Sequence, residues 1–348
     1  MLFKSRLSQQ LSIAPLKTAI ASASLLLILC NNAFANPTIE EVFVSSDFRN
    51  SEINTLSNSV TVFNETLIKQ TGAQHLETLL GRAPNVNYSS GASRGRFFQI
   101  RGVGERSQFV NPVNPSIGLI IDGIDFTGLG LSASTLDIQQ IEILRGPQGT
   151  LYGTNALGGL INFKSNAPSE AYSGSLSAQL SDYDGRSLDA VVSGPISNNT
   201  GYRVAGRINR QDGYIENTFL NRDDTNNIDE ALLKVAVHSD INEQLSIKLN
   251  VFFAEIDNGY DAFSLNSTRE TTSDQPGKDT QDTLAASLTV LWNTDYSFDV
   301  EAILSHADTD TLYSFDEDWS HLGEFDAGTF PYSSADRYER DRNNQSID

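Results

Sequence analysis

The chain has 348 residues, a formal net charge of −20, 39% hydrophobic residues and a single cysteine. So acidic a surface repels phosphate and excludes nucleic acid as a partner. With 25 glycines and abundant Asn, Ser and Thr, the composition suits an all-β protein rich in turns rather than a helical membrane protein.

Residues 1–35 read as a signal peptide. Lys4, Arg6 and Lys17 precede the apolar run Ala19–Cys30, and Ala33-Phe34-Ala35 has the small-x-small form of a cleavage site. The run is too short for a spanning helix. Cys30 raises a lipoprotein alternative, but Leu29 before it is larger than that signal accepts. Cleavage after Ala35 removes the only cysteine, so the mature chain has no thiol, and its net charge becomes −23. The remaining charge is uneven: residues 36–168 hold 11 acidic and 9 basic side chains, residues 169–348 hold 33 and 12.

Within residues 36–50, Ile39-Glu40-Glu41-Val42-Phe43-Val44-Ser45-Ser46 has an acidic start followed by alternating β-branched residues. Such an extended segment can add as a strand to a partner's sheet edge. Val60–Asn64 predicts a strand, and Glu65–Gly81 predicts helical segments ended by Pro84. Phe98–Ile100 predicts a second strand, and Leu119–Ile124 a third with a turn at Asp122-Gly123. Arg94, Arg96, Arg101 and Arg106 place four guanidiniums within thirteen residues, opposed only by Glu105. Solvated loop residues are one reading of that cluster, and an anion-receiving surface is the other.

The run from Ile141 to Phe163, IEILRGPQGTLYGTNALGGLINF, sets two apolar strands around Gly146, Gly149, Gly153, Gly158 and Gly159. It lacks both the Gly-Lys-Ser/Thr ending of a phosphate loop and the G-x-G-x-x-G spacing of a dinucleotide fold. Its wording resembles the plug domain of TonB-dependent outer-membrane receptors, whose signature reads LRGPQGxLYGxxAxGGxINxxT, with Lys164-Ser165 replacing the closing residues. Phe98-Gln99-Ile100-Arg101-Gly102 is similar to that family's IRG strand. Leu119–Ile124 is similar to its YxDGV strand, with Leu119 for the usual aromatic.

The resemblance covers residues 39–168 closely and implies a plug, a small mixed sheet with short helices over residues 51–168, inside a transmembrane antiparallel β-barrel. It implies that Glu40, Glu41, Val42, Phe43, Val44, Ser45 and Ser46 form a TonB box, engaging TonB and its inner-membrane energising complex. Arg101 and Arg145 hold motif positions where the family pairs arginines with barrel glutamates. Glu142 is a local alternative partner, and Glu255 or Glu301 are wall candidates. Arg94, Arg96, Arg106 and Phe97 are the ligand-facing candidates, with Tyr88, Phe98 and Phe109 as further flat surface. The implied protein is a monomeric uptake receptor in the outer membrane of a Gram-negative bacterium. Its cargo is a ferric siderophore or other iron chelate, with cobalamin, other metals and oligosaccharides as rivals. No catalytic constellation or cofactor motif appears, and His75, His238, His306 and His321 are scattered without metal-ligand spacing.

Residues 169–348 carry the alternation of spanning strands, which need roughly 9–11 residues each. Stripes run through Leu176–Leu180, Tyr202–Ile208, Leu245–Phe253, Leu284–Trp292 and Tyr296–Leu304, with weaker ones at Leu188–Ile196 and Ala231–Val237. A soluble sandwich also alternates, but the connections favour a barrel. Tight turns near 197–201, 240–244 and 293–295 alternate with long links at Gln211–Asp229, Asp257–Asp282 and Asp308–Asp336, Asp182–Gly185 being a short exception. The last long link holds eight carboxylates and no Lys or Arg, a solvated loop in preference to a cation site. Seven strands and the start of an eighth near Asp336 fall short of the 22 that close large plugged transporters. The expectation is therefore the N-terminal part of a longer receptor, with a non-transporting product or surface ligand-binding module as the alternative.

Overall fold

The computed structural model describes residues 43–44, 51–52, 59–107, 115–149, 155–296, 298–325 and 333–348. The signal peptide and, within the TonB-box segment, Glu40, Glu41, Val42, Ser45 and Ser46 lie outside the described residues, as does Phe109. Phe43–Val44 forms a short strand, β1, antiparallel to β2 at Ser51–Glu52.

The plug is built on a five-stranded mixed sheet. Its strands are β3 (Ser59–Asn64), β6 (Ile117–Ile121), β7 (Ile124–Asp125), β8 (Ile138–Arg145) and β9 (Gly159–Ser165), in the order β3-β8-β9-β6-β7. Only β6 and β9 run parallel. Asp122 and Gly123 both take positive φ, +51° and +81°, which closes the two-residue turn between β6 and β7. Asn64 caps helix α1 (Glu65–Thr71) by accepting the Leu67 N–H at 2.9 Å, and Gly72 ends it in the left-handed region at φ +61°. A single turn, α2 (Glu77–Leu80), follows, and β4 (Val86–Ser89) pairs with β5 (Phe97–Ile100) as a separate hairpin.

The second layer is an antiparallel sheet of eight strands: β10 (Ser173–Ser181), β11 (Gly185–Ser197), β12 (Thr200–Gln211), β14 (Ile228–Asp240), β15 (Leu245–Tyr260), β17 (Gly277–Asn293), β18 (Asp299–Asp316) and β19 (Ala335–Ile347). Two short strands in the long loops, β13 (Glu216–Asn217) and β16 (Glu270–Thr271), pair parallel. Among the described residues the large sheet is open at β10 and β19. One face packs on the plug. A single core joins Phe63, Leu76, Ile121 and Phe126 of the plug to Leu232, Phe252, Ala285 and Ala307 of the wall. Phe126 meets Phe252 edge-to-face with centroids 5.1 Å apart, and burying one such ring contributes about 2 kcal/mol.

The opposite face is apolar and exposed. Leu188, Ile208, Leu233, Phe253 and Leu284 are 40–60% accessible, the signature of a surface that faces lipid. At the short-turn end Trp292, Tyr296 and Phe298 form an exposed aromatic fringe. The strands outrun the expected spans. β15, β17 and β18 have 16, 17 and 18 residues, so the long links shrink to residues 261–276 and 317–334. The hydrophobic stripe stops early while the backbone ladder continues, because the outward positions become charged. Glu255, Asp282, Asp310 and Asp341 stand directly opposite one another on four successive strands. Asp308, Asp310 and Asp316, expected in a loop, are therefore strand residues. The stripe expected from Tyr296 begins as a strand only at Asp299.

The three long loops are knitted together. Asn217 is fully buried, donating from Nδ2 to Asp261 Oδ2 and Ser273 O, both at 2.9 Å. The third loop joins through Asp274, which accepts Ser333 Oγ at 3.0 Å and Leu322 N at 3.3 Å. Phe219 stacks on His321 at 4.1 Å, and Phe263 on Trp319 at 4.6 Å.

Candidate functional site

The plug meets the wall through two sets of polar contacts, one near each end of the strands. The loop joining β4 to β5 reaches the long-loop end. There Arg94 Nε lies 2.8 Å from Glu230 Oε1 and Nη2 lies 3.0 Å from Oε2, a two-pronged pair from plug to β14. The same guanidinium is 3.3 Å from Glu77 Oε1 on α2, and the Gly95 N–H donates to Glu77 Oε2 at 2.5 Å. Glu230 also accepts Asn258 Nδ2 at 3.1 Å and Asn209 Nδ2 at 3.4 Å. Burial works to lower the Arg94 pKa, but the charges and hydrogen bonds of Glu230 and Glu77 outweigh it and the net shift is upward.

Beside this pair, Ser93 donates from N and Oγ to Asp279 Oδ2 on β17, at 2.9 and 2.8 Å. Arg96 Nη2 stands 3.3 Å from Asp279 Oδ1, with Arg96 5% and Asp279 0% exposed. That geometry is an ion pair without a good hydrogen bond, since Oδ1 has no aligned donor. The Arg96 guanidinium also sits 5.8 Å from the Tyr313 ring, tying it to an aromatic group that includes Tyr260.

The second set lies near the short-turn end. Arg203 of β12 donates to both Asp137 oxygens at 2.6 Å, and Asn166 Nδ2 adds a bond to Asp137 Oδ1 at 3.0 Å. Lys234 Nζ reaches Ser165 Oγ at 3.1 Å, and Ser287 Oγ donates to Asp122 O at 2.7 Å. Between α1 and strands β10 and β11 lies a crevice of about 450 Å3, edged by Lys69, Gln74, Asp137, Gln179, Asp189 and Arg207.

These placements redistribute the expected roles. Arg94 and Arg96, the ligand-facing candidates, are occupied by wall carboxylates. Arg106 is exposed and Phe97 is half-buried. Arg145 turns into the plug, donating to Pro84 O at 2.9 Å and Thr61 Oγ1 at 2.8 Å. Burial, then the like charge of Arg101, lowers its pKa. Arg101 is exposed at φ +54°. Neither has a carboxylate partner among the described residues. Glu142 stands three positions from Arg145 on β8, on the opposite face by the strand's alternation, where it accepts Gln140 Nε2 at 2.5 Å and Asn162 Nδ2 at 3.2 Å. Glu255 points outward with the apolar stripe, whereas Glu301 shares the parity of the plug-facing Ala307 and is exposed. Among the described residues no group of three or more His, Cys, Asp or Glu side chains is placed to hold a metal ion.

Residues 52–160 match the family described as the TonB-dependent Receptor Plug Domain. Residues 52–160 therefore carry the plug domain of TonB-dependent receptors, seated on one face of an antiparallel wall. The chain is 30% identical over 180 residues to the pesticin receptor of Yersinia pestis, covering 51% of this chain and 26% of that one. It is 24% identical over 244 residues to the vitamin B12 transporter BtuB of Vibrio vulnificus, covering 67% and 38%. In fold it is similar to the ferric yersiniabactin uptake receptor FyuA from Yersinia pestis, with a TM-score of 0.66, 23% identity and coverage of 74% and 42%. It is also similar to the ferric-catecholate import receptor Fiu of E. coli K12 in its open form, with a TM-score of 0.63, 18% identity and coverage of 85% and 46%. The chain spans about a quarter of the length of the pesticin receptors it matches.

Glu77, Asp137, Arg203, Glu230 and Asp279 are the contact residues that sequence reasoning missed. The parity of Glu230 and Asp279, opposite to the outward stripes of their strands, marks both as plug-facing. Parity carries no signal for which plug cation each one meets.

Proposed function

We propose that this protein is the plug and part of the wall of an outer-membrane receptor for energised uptake of a scarce nutrient, an iron chelate of the siderophore class. The observation that carries this reading is the plug held on the lumen face of the wall by charged contacts near both ends. A plug so placed blocks a lumen, and ion pairs are contacts that a pull can break and remake. Ligand binds from the long-loop side; TonB and its inner-membrane complex engage residues 40–46 from the opposite side. The plug then shifts without any covalent step. The protein acts as a monomer, exported by a signal peptide cleaved after Ala35. Arg101 and Arg106 are the exposed arginines left for ligand, and Arg94 and Arg96 serve as the latch.

The name of the ferric yersiniabactin uptake receptor, similar in fold, supports an iron-chelate cargo. The vitamin B12 transporter, similar over 67% of this chain, favours cobalamin as the second reading. Cells producing the receptor should accumulate radio-iron from a ferric siderophore, and deletion of residues 40–46 should abolish accumulation while leaving surface binding intact. Accumulation that survives the deletion would overturn energised uptake. Uptake of labelled cobalamin in place of the iron chelate would move the cargo to the second reading.

A further inference from the structure

The outward face of the wall has a groove at its short-turn end, about 350 Å3 in volume, between β15, β17 and β18. Leu245, Val290, Trp292, Val300 and Ala302 line it, in two register rows: Leu245, Trp292 and Val300 in one, Val290 and Ala302 in the next. The small Ala302 leaves the floor open, and Trp292 is 49% exposed beside it. The groove continues the apolar surface assigned to lipid, so its occupant is an acyl chain.

The mouth carries charge of one sign. Gln244 Nε2 donates to Asp295 Oδ1 at 2.7 Å, and the Asn293 N–H donates to Gln244 O at 2.8 Å, which fixes a carboxylate at the rim. Glu243 is exposed on the neighbouring turn, and the segments 241–247 and 293–303 contain no Lys or Arg. Asn242 spends its Oδ1 on the N–H groups of Gln244 and Leu245, both at 2.9 Å. Its amide nitrogen has no protein acceptor among the described residues and is left for a phosphate oxygen.

We propose that this groove seats phosphatidylethanolamine, one acyl chain along Trp292 and Ala302 and the ammonium against Asp295. An anionic phospholipid would bring its phosphate to the same acidic rim with no ammonium to compensate, so the rim selects between headgroups. The inference goes beyond nutrient uptake but rests on the outward face being the lipid face.

The chain has two tryptophans, so Trp319→Phe leaves Trp292 as a single fluorescent reporter in the groove. The protein is reconstituted in phosphatidylcholine vesicles holding an equal minor share of phosphatidylethanolamine or phosphatidylglycerol, only that component carrying brominated chains. Brominated phosphatidylethanolamine should quench Trp292 about threefold more than brominated phosphatidylglycerol. Asp295→Asn with Glu243→Gln should erase the difference. Equal quenching by both lipids, or stronger quenching by phosphatidylglycerol, overturns headgroup selection while leaving the lipid face intact. No quenching by either, nor by brominated phosphatidylcholine, overturns the lipid face and the inference with it.

Discussion

Arg94 grips Glu230 through two contacts of 2.8 and 3.0 Å although 136 residues separate them along the chain. The pair joins the plug's apical loop to the wall in a site where both side chains are at most 14% exposed. Removing one member strands the other's charge. Arg94→Ala should therefore cost about 3 kcal/mol and make the plug more sensitive to protease in detergent-solubilised protein. Arg94→Lys should recover only part, since an ammonium cannot form the fork. An unchanged proteolysis rate in Arg94→Ala would show that this contact is no latch.

Arg203 and Asp137 fasten the other end of the plug, far from Glu230 along the wall. With no shared partner, Arg203→Ala and Arg94→Ala should lower stability additively, within about 0.5 kcal/mol in a double-mutant cycle. A larger coupling would mean that the plug disengages as one cooperative body rather than end by end.

The outward row of Glu255, Asp282, Asp310 and Asp341 sets like charges directly opposite across four strands. Asp282→Asn relieves two of those oppositions and should stabilise the wall by about 0.5 kcal/mol, less at high salt. Thermal unfolding at low and high ionic strength measures it. A lower midpoint in the variant would show that the row is compensated by something other than water.

His75 is 3% exposed, its Nε2 lying 2.8 Å from Gly130 O and its Nδ1 3.4 Å from the Glu77 N–H. Those partners fit the neutral ring, Nε2 donating and Nδ1 accepting. Burial lowers its pKa below the ordinary 6.5, against the opposing pull of Glu77. The folded state thus resists a proton that the unfolded chain takes up. This contribution to stability is complete above pH 6.5 and is lost as pH falls through the depressed folded value. Thermal midpoints across that window should fall, and His75→Gln should flatten the slope. An equal slope in both proteins would assign the acid sensitivity elsewhere.

Much of the fold was legible in the sequence. The stripe Leu284–Trp292 gives both the strand and its lipid face, because alternation with period two is local. Asp122-Gly123 announces its turn through the residues that tolerate positive φ. The outer halves of β15, β17 and β18 were not legible, since charged outward positions remove the hydrophobic contrast while cross-strand hydrogen bonds persist. The contacts between plug and wall were hidden for another reason. Arg94 and Arg96 look like free cations in a loop, and their partners at Glu230 and Asp279 are fixed only by tertiary packing.

The buried amide of Asn217 gives the three long loops a common fate. Loops ordinarily accept insertions and exchanges one at a time, but here Asn217 depends on Asp261 and Ser273 of the next loop, which binds the third through Asp274. A chimera that borrows one loop from a relative would orphan polar groups in the other two. The three loops are therefore inherited as a block, and an engineer exchanging one of them would need to transplant all three together.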